Sequence, residues 1–290
     1  MKLKRIAKVL MSCVMAGALF TGCGGGGDSA GGDKPAAPSG DIKLGMITHL
    51  NANEKSMSEV YKSVLEKTKL KFSPYQIVYY DNLNAMQMGI EAGDVGEISL
   101  YDSVANYLVA NNDKYEFVFD KSAEKLADSF CFAVRKDDTQ LKADLDKVVA
   151  EMKADGSLAN LIKDYITDVD KTNPPKVDIP TIDGAETIKV GITGDLPPLD
   201  LILPDNSPAG FNTAMLAEIA KRLGKNVAVV QIDSGARAAA LSSGQIDVIF
   251  WAILPVNEDM PPYLDKPEGI ELSAPYFTDN VAHLKLKADK

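Results

Sequence analysis

Cysteine, histidine and tryptophan are scarce in this chain, at three, two and one residues among 290. Each scarcity excludes a class of chemistry. Cys13 and Cys23 sit close to the N-terminus and Cys131 stands alone. No disulfide framework and no cysteine metal site can be assembled from that set. Cys131 lies in SFCFAV, which reads as a buried strand with a core thiol. His49 and His283 leave almost no material for a histidine-based triad or a histidine-rich metal centre. Neither a metal nor a cofactor is expected. Basic residues are also in the minority, 31 Lys and Arg against 41 Asp and Glu, for a formal charge of −10. That balance argues against nucleic acid and against a chain lying flat on anionic lipid. The apolar share of 46% is ordinary for a globular core.

The N-terminus carries a strong local signal. Lys2, Lys4, Arg5 and Lys8 precede a run of 12 largely apolar residues, Val9–Phe20. The run is too short to span a bilayer and has the length of a signal-peptide core. Small residues Thr21 and Gly22 lead into Cys23. The stretch FTGC resembles the lipobox of bacterial lipoproteins, which implies a signal peptide over 1–22, cleavage before Cys23 and lipidation of that residue. The alternative is an ordinary secretory signal followed by a chance cysteine. Residues 24–40, GGGGDSAGGDKPAAPSG, have no apolar period and read as a flexible linker reaching roughly 20–25 Å. Without its signal the chain would hold 27 basic against 41 acidic residues.

Two later segments open alike: IKLGMITHL from Ile42 and IKVGITGDL from Ile188. Each is a short β-type run followed by a helical pattern. Each block then reaches a glycine and a further strand, around Gly93 and Gly244. A strand–helix–strand–helix–strand order repeated twice implies an α/β fold with two lobes of parallel-rich sheet flanked by helices. Ligands in such sheets bind beyond the carboxyl ends of the strands. The segment 140–166 has apolar residues at Leu141, Leu145, Val148, Val149 and Met152, a helical spacing that Gly156 breaks before a second short helix. Residues 171–187 hold three prolines and no period, and read as a surface connector.

These stretches resemble a known family. GFNTAMLAEIAKRLGKNVAVV, ALSSGQIDVIF and ELSAPYF are similar to the first lobe of family 3 extracellular solute-binding proteins. DNLNAMQMGIEAGDVGEISLYDSVANYLV is similar to their second lobe. SFCFAVRKDDTQLKADLDKVVAEMKADGSLANLIKDYI is similar to their closing segment. The resemblance implies a type II periplasmic-binding-protein-like fold with its lobes in circularly permuted order. A second-lobe-like domain would occupy 42–128 and a first-lobe-like domain 129–290. The latter divides into a closing segment 129–170, a connector 171–187 and a main lobe 188–290. The permutation predicts that strand Ser129–Arg135 lies beside Val281–Lys287. It also predicts that one covalent connection between lobes is lost. Two independent domains in tandem are the competing reading.

The resemblance also implies a ligand site. Asp102 stands where the family's aspartate receives a ligand ammonium; the plain alternative is a helix N-cap. Thr48 and Asn51 lie in the turn that would offer donors to a carboxylate. His49 is read as an exposed loop histidine. The family's Thr-x-x-Arg clamp is missing: Asp259 stands near the place of the Arg, and a carboxylate cannot do the work of a guanidinium. Arg237 is the nearest replacement. Leu199 takes the place of the usual aromatic, and Trp251 would cover the ligand. Asp200, Glu258 and Asp259 would favour a cationic ligand if they face the cleft. The implied function is a monomeric, lipid-anchored substrate-binding protein of an ABC importer. It would present a small polar, amine-bearing solute to a membrane permease and would have no catalytic residues. A sensory or scavenging lipoprotein is the second reading, and a dehydratase or lyase on the same scaffold the third.

Overall fold

The computed structural model describes residues 42–51, 53, 55–57, 59–60, 62–63, 75–118, 126–256, 260–261 and 263–288, all within one compact unit, Gly40–Lys290. The signal, Cys23, the linker, Glu258 and Asp259 lie outside the described residues.

In chain order the first strands are β1 (Ile42–Ile47), β2 (Tyr75–Tyr80), β3 (Glu97–Tyr101), β4 (Tyr115–Phe117) and β5 (Ala127–Arg135). Then come β6 (Thr187–Ile192), β7 (Asp195–Leu196), β8 (Asp200–Ile202) and β9 (Pro208–Ala209). The last are β10 (Asn226–Gln231), β11 (Val248–Pro255), β12 (Ile270–Leu272) and β13 (Phe277–Leu286). The helices used below are α1 (Leu83–Ala92), α2 (Asp102–Asn111), α3 (Thr139–Ala154), α4 (Ser157–Ile162), α5 (Gly210–Leu223) and α6 (Arg237–Ser242).

The repeated opening becomes a repeated architecture. β1 lies between β2 and β3 and is parallel to both. β6 lies between β10 and β11 and is parallel to both. The shared glycine of IKLG and IKVG has a packing reason. A Cβ on Gly191 would come 2.6 Å from Ile246 Cδ1, so the neighbouring chain rests directly on this backbone. The fold is mixed α/β, with a parallel trio at the heart of each lobe and helices against it.

Two antiparallel strands join the trios into one ten-stranded sheet of order β10-β6-β11-β5-β13-β3-β1-β2, with β12 beside β5 and β4 beside β13 off this path. β5 runs beside β11. β13 starts beside β5, Phe277–Asn280 opposite Ala127–Phe130, and then passes to β3, Val281–Leu284 opposite Ile98–Tyr101. The strand pairing expected at 281–287 is therefore made by residues 277–280, and the later residues belong to the other lobe. The expected loss of a connection is also corrected. The chain crosses between β4 and β5, and again along β13, whose end is held by pairing with β3 and β4.

α3 buries Leu145, Val148, Val149 and Met152, the face its apolar spacing dictates. Gly156, at φ 79°, takes the left-handed turn that starts α4. Both helices pack on α5, where Arg222 pairs with Asp155 at 2.8 Å and donates to Ser157 Oγ at 2.9 Å. An aromatic cluster fills the crossing. Phe130 meets Trp251 edge-on at 4.5 Å, and Phe132 meets Phe250 at 5.0 Å and Tyr276 at 4.7 Å.

Phe132 is fully buried, whereas Met88 is 71% exposed. Phe132→Ala is expected to lower stability by about 3–5 kcal/mol through lost burial and a cavity. Met88→Ala is expected to stay within about 0.5 kcal/mol. Equilibrium urea unfolding of both variants checks the contrast; equal losses would place the core elsewhere.

Candidate functional site

A cavity of about 120 Å³ lies between the lobes. One water needs roughly 10–15 Å³ by the same measure, so a small solute fits. The strands bring it together as α/β sheets do, at their carboxyl ends. Thr48 and His49 follow β1, Thr193 follows β6, and Tyr101 ends β3. Trp251 sits where β11 leaves its parallel pairing with β6, at a register shift between Ile249 and Ala252.

Four of the six sequence-derived ligand residues line this cavity: Thr48, Leu199, Arg237 and Trp251. Arg237 is buried at the start of α6. Its Nε donates to Ser234 O at 3.1 Å, Nη1 to Trp251 O at 2.7 Å, and Nη2 to Thr48 O at 3.1 Å. The last bond crosses between lobes. Burial lowers the Arg237 pKa, opposed by the nearby Asp265 and Asp200. The Thr48 hydroxyl donates to Tyr80 O at 3.1 Å, within its own lobe. Trp251 is held by Asn212: with that amide oriented to suit both neighbours, its oxygen accepts from Trp251 Nε1 at 2.8 Å and its nitrogen donates to Leu199 O at 3.1 Å.

Asn51 and Asp102 are not among the lining residues. Asn51 faces the opposite lobe: its N–H donates to Asp265 Oδ1 at 2.9 Å and its Nδ2 to Leu264 O at 3.3 Å. Asp102 opens α2, where its carbonyl accepts from Asn106 Nδ2. It is not the N-cap either. Asp279 of β13 does that work across the sheet, accepting from Ser103 N at 3.1 Å and Ser103 Oγ at 2.5 Å. His49, read as exposed, is largely buried. It packs edge-on to Tyr79 at 6.0 Å and sits 3.9 Å from Asp265. Asp200 does not face the cleft; it is fully buried behind Thr193, accepting from its N–H at 2.9 Å and its hydroxyl at 3.1 Å.

The structure adds residues that the sequence reading missed. Asp128, Asp265, Tyr101 and Ser234 all line the cavity. Tyr101 donates to Asp128 Oδ2 at 2.8 Å. Burial raises the Asp128 pKa, partly offset by the Tyr101 hydroxyl and by His49. The one sequence signal for Asp128 is a carboxylate opening an otherwise apolar strand, ADSFCFAV. A further tie joins the lobes: Asp195 of β7 accepts from Leu83 N, at the N-terminus of α1. That is where a helix dipole and free N–H groups favour an anion. Among the described residues no group of three or more His, Cys, Asp or Glu could hold a metal. No described helix is long and apolar enough to cross a membrane.

Residues 188–283 match the family described as bacterial extracellular solute-binding proteins, family 3. Over 101 residues the chain is 30% identical to a probable histidine-binding protein of Campylobacter jejuni, a match spanning 35% of this chain and 36% of that relative. The chain thus spans about a third of the relative's length. Among solved structures, a ligand-binding component of an ABC-type import system from Staphylococcus aureus, with zinc bound, is 12% identical. It covers 85% of this chain and 66% of its own, with a TM-score of 0.42. The GluR0 ligand-binding core from Nostoc punctiforme, in complex with L-glutamate, is 9% identical over 85% of each chain, with a TM-score of 0.36.

The buried carboxyl of Asp200 generates a pH prediction. Burial pushes its pKa up to about 6, against roughly 3.9 in an unfolded chain. Below about pH 4 both states hold the proton and nothing is lost. Stability then falls as pH rises to about 6 and the loss persists above it, on the order of 2–3 kcal/mol. Asp200→Asn is expected to gain on the native protein by that amount between pH 4 and pH 7. Parallel urea-unfolding profiles for the two proteins across this range would count against it.

Proposed function

We propose that this chain captures a small amine-bearing solute for an ABC importer, a reading supported by the match of residues 188–283 to the bacterial extracellular solute-binding proteins, family 3. It works as a monomer anchored by lipid at Cys23, and hands the solute to a permease without chemical change. The observation that carries this reading is a small cavity whose wall is shared between two lobes, with Arg237 of one lobe donating to Thr48 of the other. Only contacts made better in the closed form can bias closure. The bond from Arg237 to Thr48 holds the lobes together and so favours the form in which a ligand can touch both. The partial likeness to a probable histidine-binding protein supports a solute of amino-acid size.

The chain order supports circular permutation. Two α/β trios meet at two antiparallel strands, and the lobe resembling the family's second lobe comes first. The helices α3 and α4, similar to the family's closing segment, pack on α5 of the other lobe, as a permuted chain requires. The connector 171–187 then joins what would be the old ends. Its path is held by Asn226, which accepts from Ile182 N at 2.8 Å and donates to Ile182 O at 3.0 Å.

Two experiments test the proposal. Cys23→Ser removes the lipidation site and is expected to move the protein from the membrane fraction to the soluble one on cell fractionation. Retention on the membrane sinks the anchor. A thermal-shift screen of the form beginning at Gly24, against amino acids, polyamines and small peptides, is expected to find a ligand. At 100 times its dissociation constant it adds about 2.7 kcal/mol. Arg237→Ala is expected to weaken that ligand tenfold or more, since it removes a donor used by both lobes. An affinity within twofold of the native protein's takes Arg237 out of the capture mechanism.

A further inference from the structure

The charges around the cavity are uneven. Among the described lining residues two carboxyl groups, Asp128 and Asp265, face one fixed cation, Arg237. That cation is already engaged. Three of the five N–H groups a guanidinium carries go to backbone carbonyls, one from each of its nitrogens. Asp265 and Asp200 lie close enough to support its charge. Asp128 stands differently. Tyr101 donates to its Oδ2, and no described Lys or Arg lines the cavity beside it apart from Arg237. A partly buried carboxylate that accepts one hydrogen bond, from Tyr101, with His49 as its other polar neighbour, gains when a cation reaches it.

A second observation at the same cavity is independent of the carboxyl groups. Ser234 is 1% exposed and lines the cavity. Its Oγ is buried without a hydrogen-bond partner among the described residues, an arrangement that a ligand N–H would complete. Apart from Thr48, His49, Ser99 and Thr193 the rest of the wall is largely apolar, with Leu100, Leu126, Leu199, Ile253 and Leu264 among it. It offers no Lys or Arg beyond the engaged Arg237 to a second, anionic end.

We propose that the captured solute is a compact monocation, a primary amine on an apolar body, received by Asp128 with Ser234, and that a carboxylate on the solute is not required. This rests on the capture reading above and names its ligand class. The charge-assisted bond to Asp128 fixes orientation, the apolar wall supplies contact, and the engaged Arg237 holds the lobes rather than the ligand.

Matched probes separate the two ends of an amino acid. The form beginning at Gly24 is titrated by calorimetry with leucine, phenylalanine and histidine, and with the decarboxylated amine and the deaminated acid of each. In at least one trio the amine is expected to bind within about tenfold of the amino acid or tighter, with no heat from the acid. Asp128→Asn keeps an oxygen for the Tyr101 hydroxyl and is expected to weaken the amine by about 30-fold or more. Ser234→Ala is expected to weaken it about tenfold. An acid that binds better than its amine, an amino acid that beats its amine by more than about 100-fold, or two variants within threefold of the native protein overturns the proposal. So does a set of trios in which no member binds. The capture reading is judged separately, by mass spectrometry of small molecules released when the protein from its own membrane is denatured. An acidic or neutral solute found there leaves capture standing without this ligand class, and no solute at all counts against capture.

Discussion

The guanidinium of Arg237 is the constraint around which the two lobes are arranged. A buried charge is tolerated only where hydrogen bonds replace its water. Here the acceptors come from three places: its own turn at Ser234, the strand β11 at Trp251, and the opposite lobe at Thr48. Separating the lobes takes away the third. The charge therefore couples a local feature, the start of a short helix, to the global one, closure of the cleft. Ser234 is drawn into the same arrangement, since its backbone N–H donates to Asp81 O of the other lobe at 3.0 Å. A side chain on Gly235 would come 2.7 Å from Asp81 Oδ1, so the approach of the lobes depends on a missing Cβ.

Around that point the structure divides its labour. The aromatic cluster of Phe130, Trp251, Phe250 and Tyr276 gives the crossing a rigid apolar floor. Tyr276 hands its hydroxyl hydrogen to Phe250 O at 2.6 Å, so even the polar tip of that cluster is satisfied internally. The polar ties lie to either side: Asp195 on the N-terminus of α1, and Asp265 on the backbone of Asn51. Each uses a carboxylate from one lobe and backbone N–H groups from the other. Such bonds do not depend on the partner's side chain, which is why no residue pattern announces them.

Much of the architecture was legible in the residues. The echo of IKLGMI and IKVGI predicted two lobes of parallel-rich sheet, because short β-type runs followed by helical patterns read as strands covered by helices. The spacing of Leu145, Val148, Val149 and Met152 predicted α3 and the face it buries. The cleft was half legible. Thr48, Leu199, Arg237 and Trp251, named chiefly through the family resemblance, line the cavity. Asp102 was misplaced, because an aspartate at a helix start reads the same whether it faces a cleft or not. Asp279, distant in sequence, had taken the capping role through the register of β13.

The sequence by itself determined the class of the fold, the helices and their buried faces, and the scarcity of cysteine and histidine. These follow from periodicity and composition, which are local or additive. Only the tertiary structure decided which carboxylate meets the cavity. Asp128 and Asp102 lie 26 residues apart and both stand at or next to the first residue of a regular element. What separates them is the pairing of β5 with β13 and of β13 with β3, long-range contacts with no local signature. The same holds for His49, which packs on Tyr79 of the neighbouring strand in its own lobe but comes within 3.9 Å of Asp265 only because the lobes meet.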